Sequence, residues 1–216
     1  MPVGIEIFNT NGTIQISSNT PNWCFIQKII LNNNFANHEL TIYGNSPLVF
    51  INTQSNILIY PSYKDGTMHK FKIFRALYNS NNLSAILYVF DRLSNPSHNV
   101  VFEIYGSDGS SCYSGDNKPL KLNYIFNIPE LGSDEFQHSH NFSVSSGNWA
   151  AMCATPRYET RYILDNINNA EYVLGDCLNI SNTNININCM ALYEAYTNSY
   201  YQPYGGQLLV ADVTGL

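Results

Sequence analysis

His138-Ser139-His140 has the spacing that brings two metal-ligating side chains to one side of a β-strand. Residues i and i+2 of a strand face the same way, so both imidazoles would point together. Two ligands do not complete a site, but three chains around a threefold axis would supply six imidazoles, enough for an octahedral transition metal. The alternative is a pair of loop histidines after the acidic segment 132–135. A transition metal shared across an oligomer axis is therefore a hypothesis, and no other cofactor is expected.

Carboxylates and nucleophiles near these histidines do not form a catalytic pattern. Glycosidases need two carboxyl groups that face each other about 5–10 Å apart, whereas the adjacent Asp134 and Glu135 would point to opposite faces of a strand. The chain has no Gly-x-Ser-x-Gly elbow and no phosphate-binding glycine loop. Its five cysteines form no Cys-x-x-Cys pair and are expected to be buried free thiols. We expect that the protein is not an enzyme.

Tyrosine is concentrated shortly before the C-terminus. The residues are Tyr193, Tyr196, Tyr200, Tyr201 and Tyr204. Tyrosine combines a flat apolar ring with a polar tip, which suits protein interfaces and sugar stacking. The alternative is ordinary packing, because tyrosine also favours sheets. We predict that this tyrosine cluster is an interface, with a neighbouring protein favoured over a host sugar.

The composition restricts the class of protein and the partners that these residues could serve. Only 12% of residues are charged, against about 25% in ordinary globular proteins, whereas 30 are asparagine. The 44% hydrophobic content excludes a disordered chain, and the net charge of −6 argues against a nucleic-acid partner. No apolar run approaches the roughly 20 residues of a membrane helix, and the N-terminus does not resemble a signal peptide. We expect synthesis in a cytoplasm and no membrane insertion.

Hydrophobic patterning predicts an all-β protein. Ile14-Gln15-Ile16 and Phe71-Lys72-Ile73 alternate apolar and polar residues, as half-buried strands do. Continuous apolar runs occur at 47–51, 85–90 and 208–211. Such runs suit strands covered on both faces, and turn-forming residues separate them at short intervals. The pattern predicts an antiparallel β-sandwich, and only the stretch 158–173 is assigned one or two helical turns.

A repeated segment divides the chain. Residues 4–19 read GIEIFNTNGTIQISSN and residues 101–116 read VFEIYGSDGSSCYSGD. Asn11-Gly12 and Asp108-Gly109 supply the positive φ angles that tight hairpin turns require. We predict one hairpin used twice, in an N-terminal β half (1–98) and a C-terminal β half (99–216). The halves would form two packed sheets or two similar lobes, or join into one continuous domain.

The repeated phrase resembles a known family. Gly4-Ile5-Glu6-Ile7-Phe8-Asn9-Thr10-Asn11-Gly12 is similar to the opening of small tail proteins of long-tailed bacteriophages. In many of them the phrase returns mid-chain before a Lys-Pro-Leu segment, as at 102–109 and 118–122 here. The segment 47–51 also resembles a strand common in the family. The chain is thus similar to tail-tip or central-fibre-associated minor tail proteins of siphophages.

This resemblance implies a structural component of the phage tail, made in the host cytoplasm and carried in the virion. It would lie at the tail tip or in the central fibre region and act by assembly with other tail proteins. An oligomer is expected: a trimer would place the protein on the tail axis, and a monomer would decorate another protein. The alternative function is a receptor-binding or lectin-like module that contacts the host cell surface.

Overall fold

The computed structural model describes residues 6–8, 14–17, 22–32, 37–76, 84–92, 103–105, 111–114, 118–129, 139–156, 158–164, 169–192 and 206–216. The strands are β1 (Glu6–Phe8), β2 (Ile14–Ser17), β3 (Trp23–Asn32), β4 (Asn37–Tyr43), β5 (Leu48–Thr53), β6 (Ile57–Asp65), β7 (Met68–Arg75), β8 (Ser84–Arg92), β9 (Glu103–Tyr105), β10 (Ser111–Ser114), β11 (Leu122–Ile128), β12 (Ser139–Ser143), β13 (Trp149–Cys153), β14 (Tyr158–Leu164), β15 (Asn169–Ile180), β16 (Asn184–Ala191) and β17 (Gly206–Asp212). No helix occurs in these ranges.

Two large antiparallel sheets face each other. The first sheet has the order β11-β17-β13-β5-β8-β3, and the second has the order β12-β16-β15-β6-β7-β4, with β14 paired to β15. The predicted all-β antiparallel sandwich is therefore confirmed. The helical turns predicted within 158–173 are wrong, because β14 and β15 pair from Tyr158↔Gly175 to Leu164↔Asn169. The Tyr, Thr and Val residues of this stretch are compatible with strands, and the pairing of the two segments decides the structure.

The main hydrophobic core lies between the two sheets. Val49 and Ile51 of β5 face this core, whereas Phe50 belongs to another buried cluster on the opposite face of the first sheet. β8 shows the same division, with Leu87 in the inter-sheet core and Phe90 in the outer cluster. Alternate residues of a strand point to opposite faces. The continuous apolar runs of β5, β8 and β17 thus have both faces covered, as the sequence predicted.

In each sheet, the strands of the second half, counted from one edge, occupy the same positions as the corresponding strands of the first half, counted from the opposite edge. From one edge the first sheet runs β3-β8-β5 and from the other β11-β17-β13; the second sheet runs β4-β7-β6 and β12-β16-β15. β5 and β13 pair antiparallel at the centre of one sheet, as β6 and β15 do in the other. A twofold rotation about an axis perpendicular to the sheets would interchange the corresponding strands of the two halves. Each sheet therefore combines equivalent strands from residues 1–98 and 99–216.

The repeated hairpin predicted from the sequence is confirmed in its strands. Glu6↔Ser17, Ile7↔Ile16 and Phe8↔Ile14 of the first hairpin correspond to Glu103↔Ser114, Ile104↔Tyr113 and Tyr105↔Ser111 of the second. Every position is displaced by 97 residues (103 minus 6), and both hairpins have an irregular register near the turn. β2 and β10 lie next to each other. The turn residues Asn11, Gly12, Asp108 and Gly109 lie outside the described residues.

The duplication extends beyond the hairpins into the sheets. His38, Leu40 and Ile42 of the first half match His140, Phe142 and Val144 of the second, in that order. Leu40 and Phe142 pack partly buried against the inter-sheet core, and Ile42 and Val144 belong to it. Each segment leads into a Gly-Asn pair, at 44–45 and at 147–148. The equivalent positions support one duplicated unit of which the hairpin is the most similar part.

Candidate functional site

His140 lies on the edge strand β12 of the second sheet. Its ring is half-buried, with its centroid 6.5 Å from the ring of Phe142. His138 lies outside the described residues. Within the ranges that the structure describes, no three His, Cys, Asp or Glu side chains are grouped so that they could hold a metal ion. The metal across an oligomer axis stays a prediction.

The tyrosine cluster, Tyr193, Tyr196, Tyr200, Tyr201 and Tyr204, lies outside the described residues. Its flanks are placed: the buried Leu192 follows β16 and forms a bridge to Ala76, and Gly206 begins β17. The described residues on either side of the cluster belong to different sheets, β16 to the second and β17 to the first. The use of the five tyrosines as an interface stays a prediction.

Three large aliphatic side chains are exposed on the edge strands of the first sheet. Ile26 and Ile30 of β3 are 50% and 58% exposed, and Ile125 of β11 is 54% exposed. Ile30 lies opposite Ile86, and Ile125 opposite Leu209, and both of these partners pack on the outer cluster of the sheet. Both edges of the first sheet thus present apolar surface to solvent. The sequence offered little signal for these residues, because the positions of β3 and β11 at the edges of the sheet depend on which distant strands pair.

The outer face of the second sheet carries two exposed tyrosines beside a charged pair. Tyr43 of β4 and Tyr63 of β6 are 73% and 53% exposed, and β7 lies between them. From β7, Lys70 donates a hydrogen bond from Nζ to Oε1 of Glu39 at 2.7 Å. That hydrogen bond lowers the pKa of Glu39 and raises the pKa of Lys70. We call Tyr43, Tyr63, Lys70 and Glu39 the tyrosine–lysine patch.

The matching face of the second half is built from amides instead of charges. Asn141, Asn186 and Asn179 are cross-strand neighbours on β12, β16 and β15. Asn179 donates from Nδ2 to the carbonyl of Gln54 at 2.6 Å, and Asn188 donates to Oδ1 of Asn56 at 2.8 Å. Part of the unusual asparagine content is therefore arranged across one sheet face. The duplicated halves have equivalent strands but different surfaces.

The cysteines are structural in the described part of the chain. Cys24, Cys153, Cys177 and Cys189 are free and buried. Burial raises the pKa of Cys24 to about 11 and that of Cys177 well above its usual value. Since the thiolate is the nucleophilic form, neither thiol is prepared for catalysis. The predicted buried free thiols are confirmed at these four positions, and Cys112 lies among residues whose side chains are not described.

Comparison of the chain with protein-family models, curated proteins and solved structures found no match. In the described ranges no helix has the length and apolar character needed to cross a membrane.

Proposed function

We propose that the chain is a structural component of a bacteriophage tail, in the tail tip or central fibre region, and acts by assembly with other tail proteins. The observation that carries this proposal is the pair of hairpins β1–β2 and β9–β10. The phrase that resembles the phage tail family folds twice with the same strand register, 97 positions apart. Two matched copies in one chain indicate that this hairpin is a defined building unit and not a chance similarity between turns.

The exposed surfaces support an assembly role. Ile26, Ile30 and Ile125 are exposed on the edge strands of the first sheet, and Tyr105 in the second hairpin is 51% exposed. Exposed aromatic and aliphatic side chains are typical of the central part of protein interfaces. The low charge of the whole chain also reduces the desolvation cost of covering such surfaces.

The test uses a phage whose genome encodes this chain. We expect mass spectrometry of purified tails to detect the protein, and a phage with Tyr105→Asp to form particles that lack it. Tyr43→Asp is the matched control, because Tyr43 is also an exposed tyrosine, at 73%, but lies on the second sheet; these particles should retain the protein. Absence of the wild-type chain from purified tails would reject the proposal.

The second candidate function is a receptor-binding or lectin-like module, and the tyrosine–lysine patch favours it. Two exposed tyrosine rings can stack on sugars or side chains, and the Lys70–Glu39 pair between them offers hydrogen-bond donors and acceptors. In this case the isolated protein would bind host envelopes in a pull-down assay. Tyr43→Ser with Tyr63→Ser would abolish that binding, whereas Ile26→Ser would not. Lack of envelope binding by the wild type, with incorporation into tails intact, would leave only the structural role.

A further inference from the structure

A cavity of about 220 Å³ lies between the two sheets. Its walls come from β5 and β13 of the first sheet and from β6, β7 and β15 of the second. Apolar side chains provide most of the lining, among them Val49, Ile51, Ile59, Phe71, Ala151 and Leu178. A 150 Å³ apolar cavity accommodates benzene, so by proportion about nine non-hydrogen atoms fit here. The space is therefore large enough for a small organic ligand.

Three polar side chains interrupt this apolar lining: His69, Cys153 and Asp176. His69 lies on β7 at the spacing of the inward-facing Phe71 and Ile73. Its Nε2 atom is buried, and no described residue forms a hydrogen bond with it. Asp176 is completely buried on β15, which β6 separates from β7. Two strand spacings make roughly 10 Å, so the cavity is elongated, with His69 and Asp176 in different parts of it.

We propose that this cavity binds an uncharged single-chain amphiphile, with its hydroxyl group at Nε2 of His69 and its alkyl chain along the apolar lining. A buried nitrogen without a partner is costly, and a ligand hydroxyl would satisfy it in either tautomer because it donates or accepts. Either charge on the head group would lose its hydration in this mostly apolar cavity, and an anionic head group would also be repelled by the chain's net charge of −6. This binding site is independent of the assembly role proposed above.

The chain length of the ligand provides the first test. Titration calorimetry of the full chain with 1-butanol, 1-hexanol and 1-octanol should show saturable binding. We expect the Kd to fall roughly fourfold for each added methylene until the cavity is filled. Hexylamine and hexanoate should bind more weakly than 1-hexanol. Absence of saturable binding, or tighter binding of either charged ligand, would overturn the proposal.

Two variants locate the ligand. Ala151→Leu extends a buried side chain into the cavity and should weaken 1-hexanol binding at least about tenfold, since three added carbon atoms compete with the ligand. His69→Leu removes the hydrogen-bond partner and should weaken 1-hexanol about fivefold while leaving 1-chlorohexane unchanged. His38→Leu is the matched control, because His38 is exposed on the same sheet and does not line the cavity; it should change neither affinity.

His69→Leu keeps the proposal testable if Ala151→Leu fails to fold. Circular dichroism and a cooperative urea transition would establish that each variant is folded. Equal weakening of 1-hexanol and 1-chlorohexane in His69→Leu would mean that a change of shape, not the hydroxyl contact, caused the loss. That result, or an unchanged affinity for 1-hexanol, would refute the assignment of the head group to His69.

Discussion

The carboxylate of Asp91 holds the loop between β4 and β5, and removing it should strongly destabilise the protein. Asp91 is 6% exposed; its Oδ2 accepts from the backbone N–H of Asn45 at 2.7 Å, and its Oδ1 from those of Ser46 and Arg92, each at 2.7 Å. Hydrogen bonds to charged groups contribute about 1.5–3 kcal/mol each, and donors left unpaired add to the loss. Since water reaches part of this loop, we expect Asp91→Ala to lower the unfolding free energy by about 3–5 kcal/mol.

A substitution at Gly44 provides a second test of the position of the Asp91 carboxylate. A Cβ atom at Gly44 would lie 1.9 Å from Oδ2 of Asp91, too close for any pair of nonbonded atoms. Because three hydrogen bonds fix the carboxylate, it cannot move away cheaply. We expect Gly44→Ala to cost about 2–4 kcal/mol in the wild type and much less in Asp91→Ala, where the obstructing oxygen is absent. The double variant should therefore be more stable than the sum of the single effects predicts, by at least about 1 kcal/mol.

Urea unfolding, monitored by tryptophan fluorescence, would give the unfolding free energies of the wild type, of Asp91→Ala, of Gly44→Ala and of the double variant. Trp23 is a suitable reporter, because its Nε1 donates to the carbonyl of Ser46 at 2.9 Å in the same loop. Asp212→Ala is the matched control: its Oδ1 accepts one exposed N–H, from Thr214 at 2.9 Å, so about 1 kcal/mol is expected. Additive effects within about 0.5 kcal/mol, or equal losses for Asp91→Ala and Asp212→Ala, would refute this reasoning.

Three further predictions concern the core, a thiol and the duplicated halves. Ile187→Ala, at a fully buried position, should cost about 3–4 kcal/mol of unfolding free energy in urea, whereas the exposed Ile26→Ala should change it by less than about 0.5 kcal/mol. Iodoacetamide should label Cys24 far more slowly in the native protein than after unfolding, with a rate that rises towards pH 11; rapid native labelling at pH 8 contradicts this. Fragments 1–98 and 99–216 should form a stable complex in size-exclusion chromatography when coexpressed, because each sheet takes strands from both; independent monomeric fragments would exclude that dependence.

The sequence identified the central strands because their burial depends on local residue type. The runs at 47–51, 85–90 and 208–211 are apolar at every position, which is required when both faces of a strand are covered. The same reasoning failed at 158–173, where neither strict alternation nor a continuous apolar run was visible. There the pairing of β14 with β15 decided the structure, and a neighbouring strand cannot be inferred from the segment itself.

The candidate surfaces depended even more on tertiary structure. The sequence predicts a metal ligand at His140 and an interface at Tyr204 from their residue types alone, because the sequence does not show what surrounds either side chain. The tyrosine–lysine patch was missed, since Tyr43, Tyr63 and Lys70 are separated in sequence and meet only because β4, β7 and β6 are adjacent. The buried nitrogen of His69 was not predicted either. The alternation with Phe71 and Ile73 places His69 on the inner face of β7, but the cavity and the missing hydrogen-bond partner depend on the packing of distant strands.

By itself, the sequence determined the strand content, the two-faced burial of the central strands and the duplicated hairpin. These features follow from side-chain periodicity and turn chemistry, which operate over a few neighbouring residues. Only the tertiary structure revealed that the duplication spans whole halves, that each sheet is shared between them, and that a cavity lies between the sheets. Those features depend on which distant strands become neighbours, and that choice is made by the free energy of packing over the entire chain.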